Sequence, residues 1–96
     1  MMGQIFASMF ALHGKKIILV RHAKTVSRRK WDGDDFDRPL STFGRDSARV
    51  SGQYLRIIGA IPDKIITSPA VRTLETANII MSRMGNLPFE EYAPLW

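Results

Sequence analysis

The chain contains no cysteine, and this absence excludes disulfide bridges, thiolate metal sites and cysteine nucleophiles. It is compatible with the reducing cytoplasm, which we expect to be the compartment of this protein. Histidine is nearly as scarce, because His13 and His22 are the only two in 96 residues.

Long apolar runs are also lacking. The stretch from Ile5 to Leu12 falls far short of the roughly 20 residues that a membrane-spanning helix needs. No basic residue precedes it, as one would in a signal peptide, so we expect no membrane partner. Because Met1, Met2 and Met9 can each start translation, we expect residues 1–14 to be an amino-terminal extension outside the domain, whether ordered or disordered.

The composition, with 45% hydrophobic and 24% charged residues, is typical of one small globular domain. The formal net charge of +5 would suit an anionic partner, but the basic residues are scattered along the chain. The densest basic run, Arg28 to Lys30, is followed by four aspartates between Asp32 and Asp37, which would repel a nucleic acid backbone. These aspartates also lack the spacing of an EF-hand loop, so we expect neither a nucleic acid partner nor a metal.

Two short apolar segments predict strands. Ile17 to Val20 is continuously apolar, as in a parallel strand buried on both faces, and Lys64 to Thr67 is the second candidate. Between them, Ser41 or Thr42 can cap a helix that we expect to end near Gly59. Its predicted inward face consists mostly of small residues, namely Gly44, Ala48, Ser51, Gly52, Leu55 and Ile58.

A second helix is predicted with Ser68 as its cap, Pro69 at its first position and an end near Met84. Its predicted inward stripe is Ala70, Leu74, Ala77, Met81 and Met84. The order strand, helix, parallel strand, helix predicts an α/β fold, the start of a doubly wound and mostly parallel sheet. So small a sheet leaves edges and apolar faces uncovered, and we therefore expect self-association or partial disorder of the chain.

Arg21 and His22 directly follow the first predicted strand, at the end of the sheet where ligands bind in open α/β folds. Neutral imidazole is a competent nucleophile near pH 7, and the planar guanidinium groups of Arg21 and Arg72 match phosphate oxygens. Arg72 would also lie close to the first turn of the second helix, where amide groups favour anions. From residue chemistry alone, two alternatives stay open: a structural role for His22 and a surface ion pair between Arg72 and Glu75.

Three segments, Arg21-His22-Ala23, Asp37 to Ser41 and Thr67 to Ala77, occur in the order known from one family. With them, residues 15–96 resemble the first half of the histidine phosphatase superfamily domain, which has a phosphoglycerate mutase-like fold. The segments are most similar to those of SixA-type phosphohistidine phosphatases. The resemblance implies a truncated domain in which His22 is the nucleophile and becomes a phosphohistidine, Arg21 and Arg72 bind the phosphoryl group, and no cofactor is needed.

The function that the resemblance implies is that of a phosphohistidine phosphatase, whose partner is a phosphohistidine-bearing protein or a small phosphorylated substrate. The second core histidine of the family lies near the end of a later strand and has no counterpart here; loss of one such donor often costs about 100- to 1,000-fold in rate. Whether the chain is an enzyme therefore stays open, and the alternative is an inactive phosphate-binding pseudoenzyme or a truncated gene product.

A mutase is less favoured, because mutase relatives carry Arg-His-Gly where this chain has Arg21-His22-Ala23. Glu90 and Glu91 are expected to be surface charges.

Overall fold

The computed structural model describes the backbone of residues 7–12, 15–20, 22–85 and 87–95, and the side chains of those from residue 22 onward. The elements in chain order are β1 (Ala7–Leu12), β2 (Lys15–Val20), α1 (Thr42–Ile57), β3 (Ile65–Thr67), α2 (Val71–Met84) and β4 (Phe89–Glu91). A short 3-10 turn, Asp35–Asp37, lies in the connection between β2 and α1, and a second one, Ala93–Leu95, follows β4. This α/β architecture confirms the predicted fold class.

The first predicted strand is longer than its apolar core and has an antiparallel partner. β2 pairs with β1 in a register that runs from Ala7 opposite Val20 to Leu12 opposite Lys15. Two residues separate the strands, which is the commonest length of a hairpin connection. β1 lies within residues 1–14, whose place outside the domain stays a prediction.

The parallel pairing occurs between β3 and β4, with Ile65 opposite Phe89 and Thr67 opposite Glu91. The prediction that the strand at 17–20 is followed, after one helix, by a parallel strand of the same sheet at 64–67 is therefore wrong for the described residues, because the two strands lie in separate sheets. The βαβ unit observed is β3–α2–β4, because Gly85, with a φ of 105°, ends α2 and lets the chain return beside β3. β4 escaped prediction because three residues with two glutamates carry no apolar period.

Helix α1 begins and ends as predicted. The Ser41 hydroxyl accepts a hydrogen bond from the Gly44 amide at 3.0 Å, which caps the first turn. At the other end Gly59 adopts a φ of 73°, and the Ala60 amide donates to the Leu55 carbonyl at 2.9 Å, the pattern of a Schellman cap. The predicted inward face is buried except for Ile58, which is half exposed because it lies beyond the last helical residue.

Helix α2 begins at Val71 with Ala70 as its N-cap, so the prediction of Ser68 as cap and Pro69 as first helical residue is wrong. The Ser68 hydroxyl instead lies 2.6 Å from the Thr73 hydroxyl, and a residue before proline favours extended backbone.

The inward stripe of α2 is also rotated from the prediction. Within the helix, Thr76 and Ile80 are buried, and only Ala70 of the predicted set is fully buried. The cause is close packing on α1, where a Cβ on Gly52 would lie 3.0 Å from the Ile80 carbonyl oxygen.

The core between the helices is small. Its buried apolar residues are Ala23, Leu40, Ala48, Leu55, Ala60 and Ile80. Large apolar side chains on the outer side of α1 remain exposed: Phe43, Val50, Tyr54 and Ile57. In the described ranges, no helix has the length and apolar character to cross a membrane.

Candidate phosphoryl-transfer site

The segment after β2, which carries His22, is joined to helix α2 by a buried hydrogen-bond relay. The amide of Ala23 donates to the Thr76 hydroxyl oxygen at 3.1 Å, and that hydroxyl donates to the Arg72 carbonyl at 2.7 Å. Ala23 is completely buried. The fold therefore brings the predicted nucleophile next to the first turns of the helix that bears Arg72.

The same segment is held from the other side by the start of α1. The Lys24 carbonyl accepts from the Ser41 amide at 2.9 Å and from the Ser41 hydroxyl at 3.1 Å. A Cβ on Gly44 would collide with this carbonyl oxygen, so only glycine permits the approach. Thr25 and Leu40 form an antiparallel bridge that closes the loop between them.

The ring of His22 is half-buried, and its hydrogen bonding assigns its tautomer. Nδ1 lies 2.8 Å from the carbonyl oxygen of Ala23. Because a carbonyl oxygen only accepts, Nδ1 must carry the proton in this hydrogen bond. In the neutral ring, Nε2 then holds the lone pair and can act as a nucleophile.

The guanidinium of Arg72 is bound by Asp35, in the 3-10 turn of the 25–40 loop. Its Nη1 donates to the Asp35 backbone carbonyl at 2.8 Å, and its Nη2 lies 3.3 Å from Asp35 Oδ2. The side chain of Arg72 is only 14% exposed, so Arg72 is largely buried and does not form the surface ion pair that was left open as an alternative. The carboxylate of Glu75 accepts from the Leu40 amide at 2.8 Å and from Arg45 at 3.1 Å.

Asp35 receives two further arginines. Its Oδ1 accepts from Arg38 Nε at 2.9 Å and lies 3.7 Å from Arg28 Nε. The hydrogen bond from Arg38 is the largest reason why the pKa of Asp35 lies below its ordinary value of 3.8. Partial desolvation opposes this shift, and the positive charges of Arg72, Arg38 and Arg28 add to it.

The remaining predicted residues are placed as follows. Arg21 and His13 lie outside the described residues. Glu90 is exposed and pairs with Lys64 at 2.6 Å, which confirms its assignment as a surface charge, and Glu91 is likewise exposed. Among the residues that the structure describes, no three His, Asp or Glu side chains converge as metal ligands.

Two residues of this site, Thr76 and Asp35, were not predicted from the sequence. Thr76 lies inside a segment that carries the family resemblance, and Asp35 belongs to the aspartate run, but neither pattern shows which partner each side chain meets.

Comparison with known proteins places the chain in a family. The model of the histidine phosphatase superfamily (branch 1) matches residues 17–95, and the chain belongs to this superfamily. The mitochondrial serine/threonine-protein phosphatase Pgam5 of Drosophila grimshawi is 37% identical over an alignment of 89 residues, which covers 84% of this chain and 30% of that protein.

Solved structures show the same fold. The protein histidine phosphatase SixA in complex with tungstate aligns with a TM-score of 0.64 and 25% identity, over 74% of this chain and 44% of that one. A protein of Agrobacterium tumefaciens provisionally assigned as SixA aligns with a TM-score of 0.72 and 23% identity, over 78% of this chain and 48% of that one. The chain thus spans less than half the length of each of these proteins and resembles the start of their fold.

Proposed function

We propose that this chain carries the nucleophilic half of a phosphohistidine phosphatase site. The observation that carries the proposal is the hydrogen bond from His22 Nδ1 to the Ala23 carbonyl, which leaves the lone pair on Nε2. Membership of the histidine phosphatase superfamily and the SixA fold support the same reaction class.

In the first step, His22 Nε2 forms a bond to phosphorus and the P–N bond of the donor breaks. The electron pair stays on the donor imidazole, which already carries a proton on its other nitrogen and departs neutral. In the second step, a water oxygen bonds to phosphorus and the Nε2–P bond breaks. Its electron pair returns to Nε2, and both protons of the water leave with the released dihydrogen phosphate.

Arg21 and Arg72 are the proposed phosphate-binding residues. Arg72 is the second residue of α2, so a phosphoryl group that it binds also lies near the amide groups of the first helical turn. A guanidinium group offers paired donors to the oxygens of the phosphoryl group. The proposed partner is accordingly a phosphohistidine-bearing protein or a small phosphorylated substrate.

The test is incubation with a phosphoramidate donor, followed by intact mass measurement under mildly alkaline conditions. We expect an adduct of about 80 daltons, one phosphoryl group, on the wild type. His22→Ala should lose the adduct, whereas His13→Ala, which removes the only other imidazole, should keep it. An adduct on both variants would refute the assignment of His22.

An inactive phosphate-binding pseudoenzyme is the alternative that this experiment separates from the enzyme. If no variant forms an adduct but calorimetry detects binding of inorganic phosphate to the wild type, the chain binds without turnover. Absence of both adduct and binding would contradict both functions.

A phosphoserine or phosphothreonine substrate is a second candidate, favoured by the 37% identity to a protein named as a serine/threonine-protein phosphatase. A phosphate ester must protonate its leaving oxygen, whereas a protonated phosphohistidine leaves as neutral imidazole. We therefore expect faster adduct formation from the phosphoramidate than from a phosphoserine peptide, and the reverse order would favour the ester.

A further inference from the structure

We propose that Asp35 is a positioning residue that orients the guanidinium of Arg72 for binding a phosphoryl group. The inference rests on the proposed role of Arg72 as a phosphate-binding residue and extends it to a residue of a different chain segment. Asp35 and Arg72 are 37 positions apart in the sequence.

Asp35 contacts both terminal nitrogens of Arg72 with two different groups. The backbone carbonyl accepts from Nη1 at 2.8 Å, and the carboxylate lies 3.3 Å from Nη2. Two contacts on separate nitrogens define the plane of the guanidinium as well as its position. A single ion pair with one nitrogen would leave the group able to rotate.

Asp35 is itself oriented by Arg38. Arg38 Nε donates to Oδ1 at 2.9 Å, whereas Oδ2 is the carboxylate oxygen that contacts Arg72. Arg38 Nη1 donates to the Val26 carbonyl at 3.0 Å and to the Thr25 hydroxyl at 2.5 Å. Its side chain is only 11% exposed, which restricts its motion.

These contacts join the two parts of the candidate site on the loop side. Thr25 lies three residues after His22, and it is connected through Arg38 and Asp35 to Arg72. The buried relay through Thr76 joins Ala23 to α2 independently. Arg72 is thus held at its guanidinium by Asp35 and at its backbone carbonyl by Thr76. A phosphate-binding side chain held in this way needs no reorganisation when the ligand arrives.

Charge and position predict opposite effects of removing Asp35. A carboxylate beside an anion site repels phosphate, so electrostatics alone predicts that Asp35→Ala tightens phosphate binding. A positioning role predicts weaker binding, because Arg72 loses its fixed orientation. The sign of the change therefore distinguishes the two effects.

The experiment measures binding of inorganic phosphate to the full chain by calorimetry at fixed ionic strength. We expect Asp35→Ala to raise Kd about 5- to 10-fold, on the scale of one poorly oriented charge-assisted hydrogen bond. The matched control is Asp37→Ala, which removes an exposed carboxylate from the same 3-10 turn and should leave Kd within about 2-fold or lower it.

A double-mutant cycle with Arg72→Lys tests whether Asp35 acts through Arg72. Lysine keeps the charge but lacks the planar fork, so we expect Arg72→Lys to weaken binding and Asp35→Ala/Arg72→Lys to be no weaker than Arg72→Lys alone. Asp35→Asn, which removes the charge but keeps the shape of the side chain, is the milder variant, and far-ultraviolet circular dichroism confirms that each variant folds.

Unchanged or tighter phosphate binding by both Asp35→Ala and Asp35→Asn would overturn the inference. It would also be overturned if the increase in Kd of the double variant equalled the product of the increases in the two single variants, or if the wild type bound no phosphate. The proposed function fails separately. Phosphate binding with the expected cycle but no adduct on His22 would support the role of Asp35 and refute catalysis. An adduct formed at equal rates by wild type and Asp35→Ala, with equal Kd, would refute the role of Asp35 alone.

Discussion

Replacement of Thr76 by valine tests the buried relay that fixes the His22 segment. Valine keeps the shape of threonine but removes the hydroxyl that accepts from the Ala23 amide at 3.1 Å. Ala23 is completely buried and Thr76 is 3% exposed, so water cannot replace the lost acceptor. The variant therefore leaves one buried N–H group without a partner.

The cost of this change follows from burial. An unsatisfied buried donor destabilises a protein by about 1–3 kcal/mol, and the extra methyl of valine offsets a small part of this. In a domain of this size, each 1 kcal/mol lowers Tm by about 4–8 °C. We expect Thr76→Val to lower Tm by about 5–15 °C and to slow adduct formation on His22, because the neighbouring amide is no longer held.

Thermal unfolding followed by circular dichroism, together with the rate of adduct formation, measures both effects. Thr76→Ser keeps the hydroxyl, loses one methyl group and should retain the wild-type adduct rate. Ser82→Ala removes an exposed hydroxyl from the same helix and should change stability by less than about 0.5 kcal/mol. A Thr76→Val variant with wild-type Tm and wild-type adduct rate would refute the reasoning.

The folded pKa of Asp35 lies below 3.8, so the contribution of Asp35 to stability is complete above the unfolded pKa and is lost as pH falls through the lower folded pKa. Asp35→Asn should therefore flatten this acid limb of the unfolding curves, and an unchanged limb would contradict the assignment. A change from glycine to alanine stabilises an ordinary helix, but Gly44→Ala should destabilise this chain by about 1–3 kcal/mol, because the new Cβ collides with the Lys24 carbonyl oxygen. Thr42→Ala, at an exposed position of the same turn, should be nearly neutral, and a Gly44→Ala variant more stable than the wild type would contradict the close approach. We propose that the apolar outer side of α1 drives self-association, so the sedimentation coefficient should rise with protein concentration. Ile57→Glu, at a residue that is 73% exposed, should reduce the self-association, and a wild type that is monomeric at every concentration would contradict the proposal.

Local signals in the sequence predicted helix α1 well. Ser41 as the cap, Gly59 after the end and the small inward face from Gly44 to Leu55 all follow from interactions within one turn or from one helical period. Both predicted strand segments are strands in the structure: Ile17 to Val20 lies inside β2, and β3 occupies three residues of the predicted segment Lys64 to Thr67.

Signals that depend on partners were weaker. The apolar period of α2 favoured Leu74, Ala77 and Met81, whereas the helix buries Thr76 and Ile80. The reason is that Thr76 satisfies a buried amide from another segment and Ile80 fits against Gly52, and neither benefit appears in the hydropathy of α2 itself. The pairing of β3 with β4 was not predicted either, because it depends on a partner strand and not on the sequence of β3 itself.

The sequence by itself determined the α/β class, the limits of α1 and membership of the histidine phosphatase superfamily, because caps, helical periods and motif order are local properties of the chain. It also supplied the candidates His22, Arg21 and Arg72. Only the tertiary structure decided that β3 pairs with β4, that Thr76 holds Ala23 and that Asp35 holds Arg72. These contacts join residues far apart in sequence, and their energies depend on burial and on the partner that the folded chain brings near.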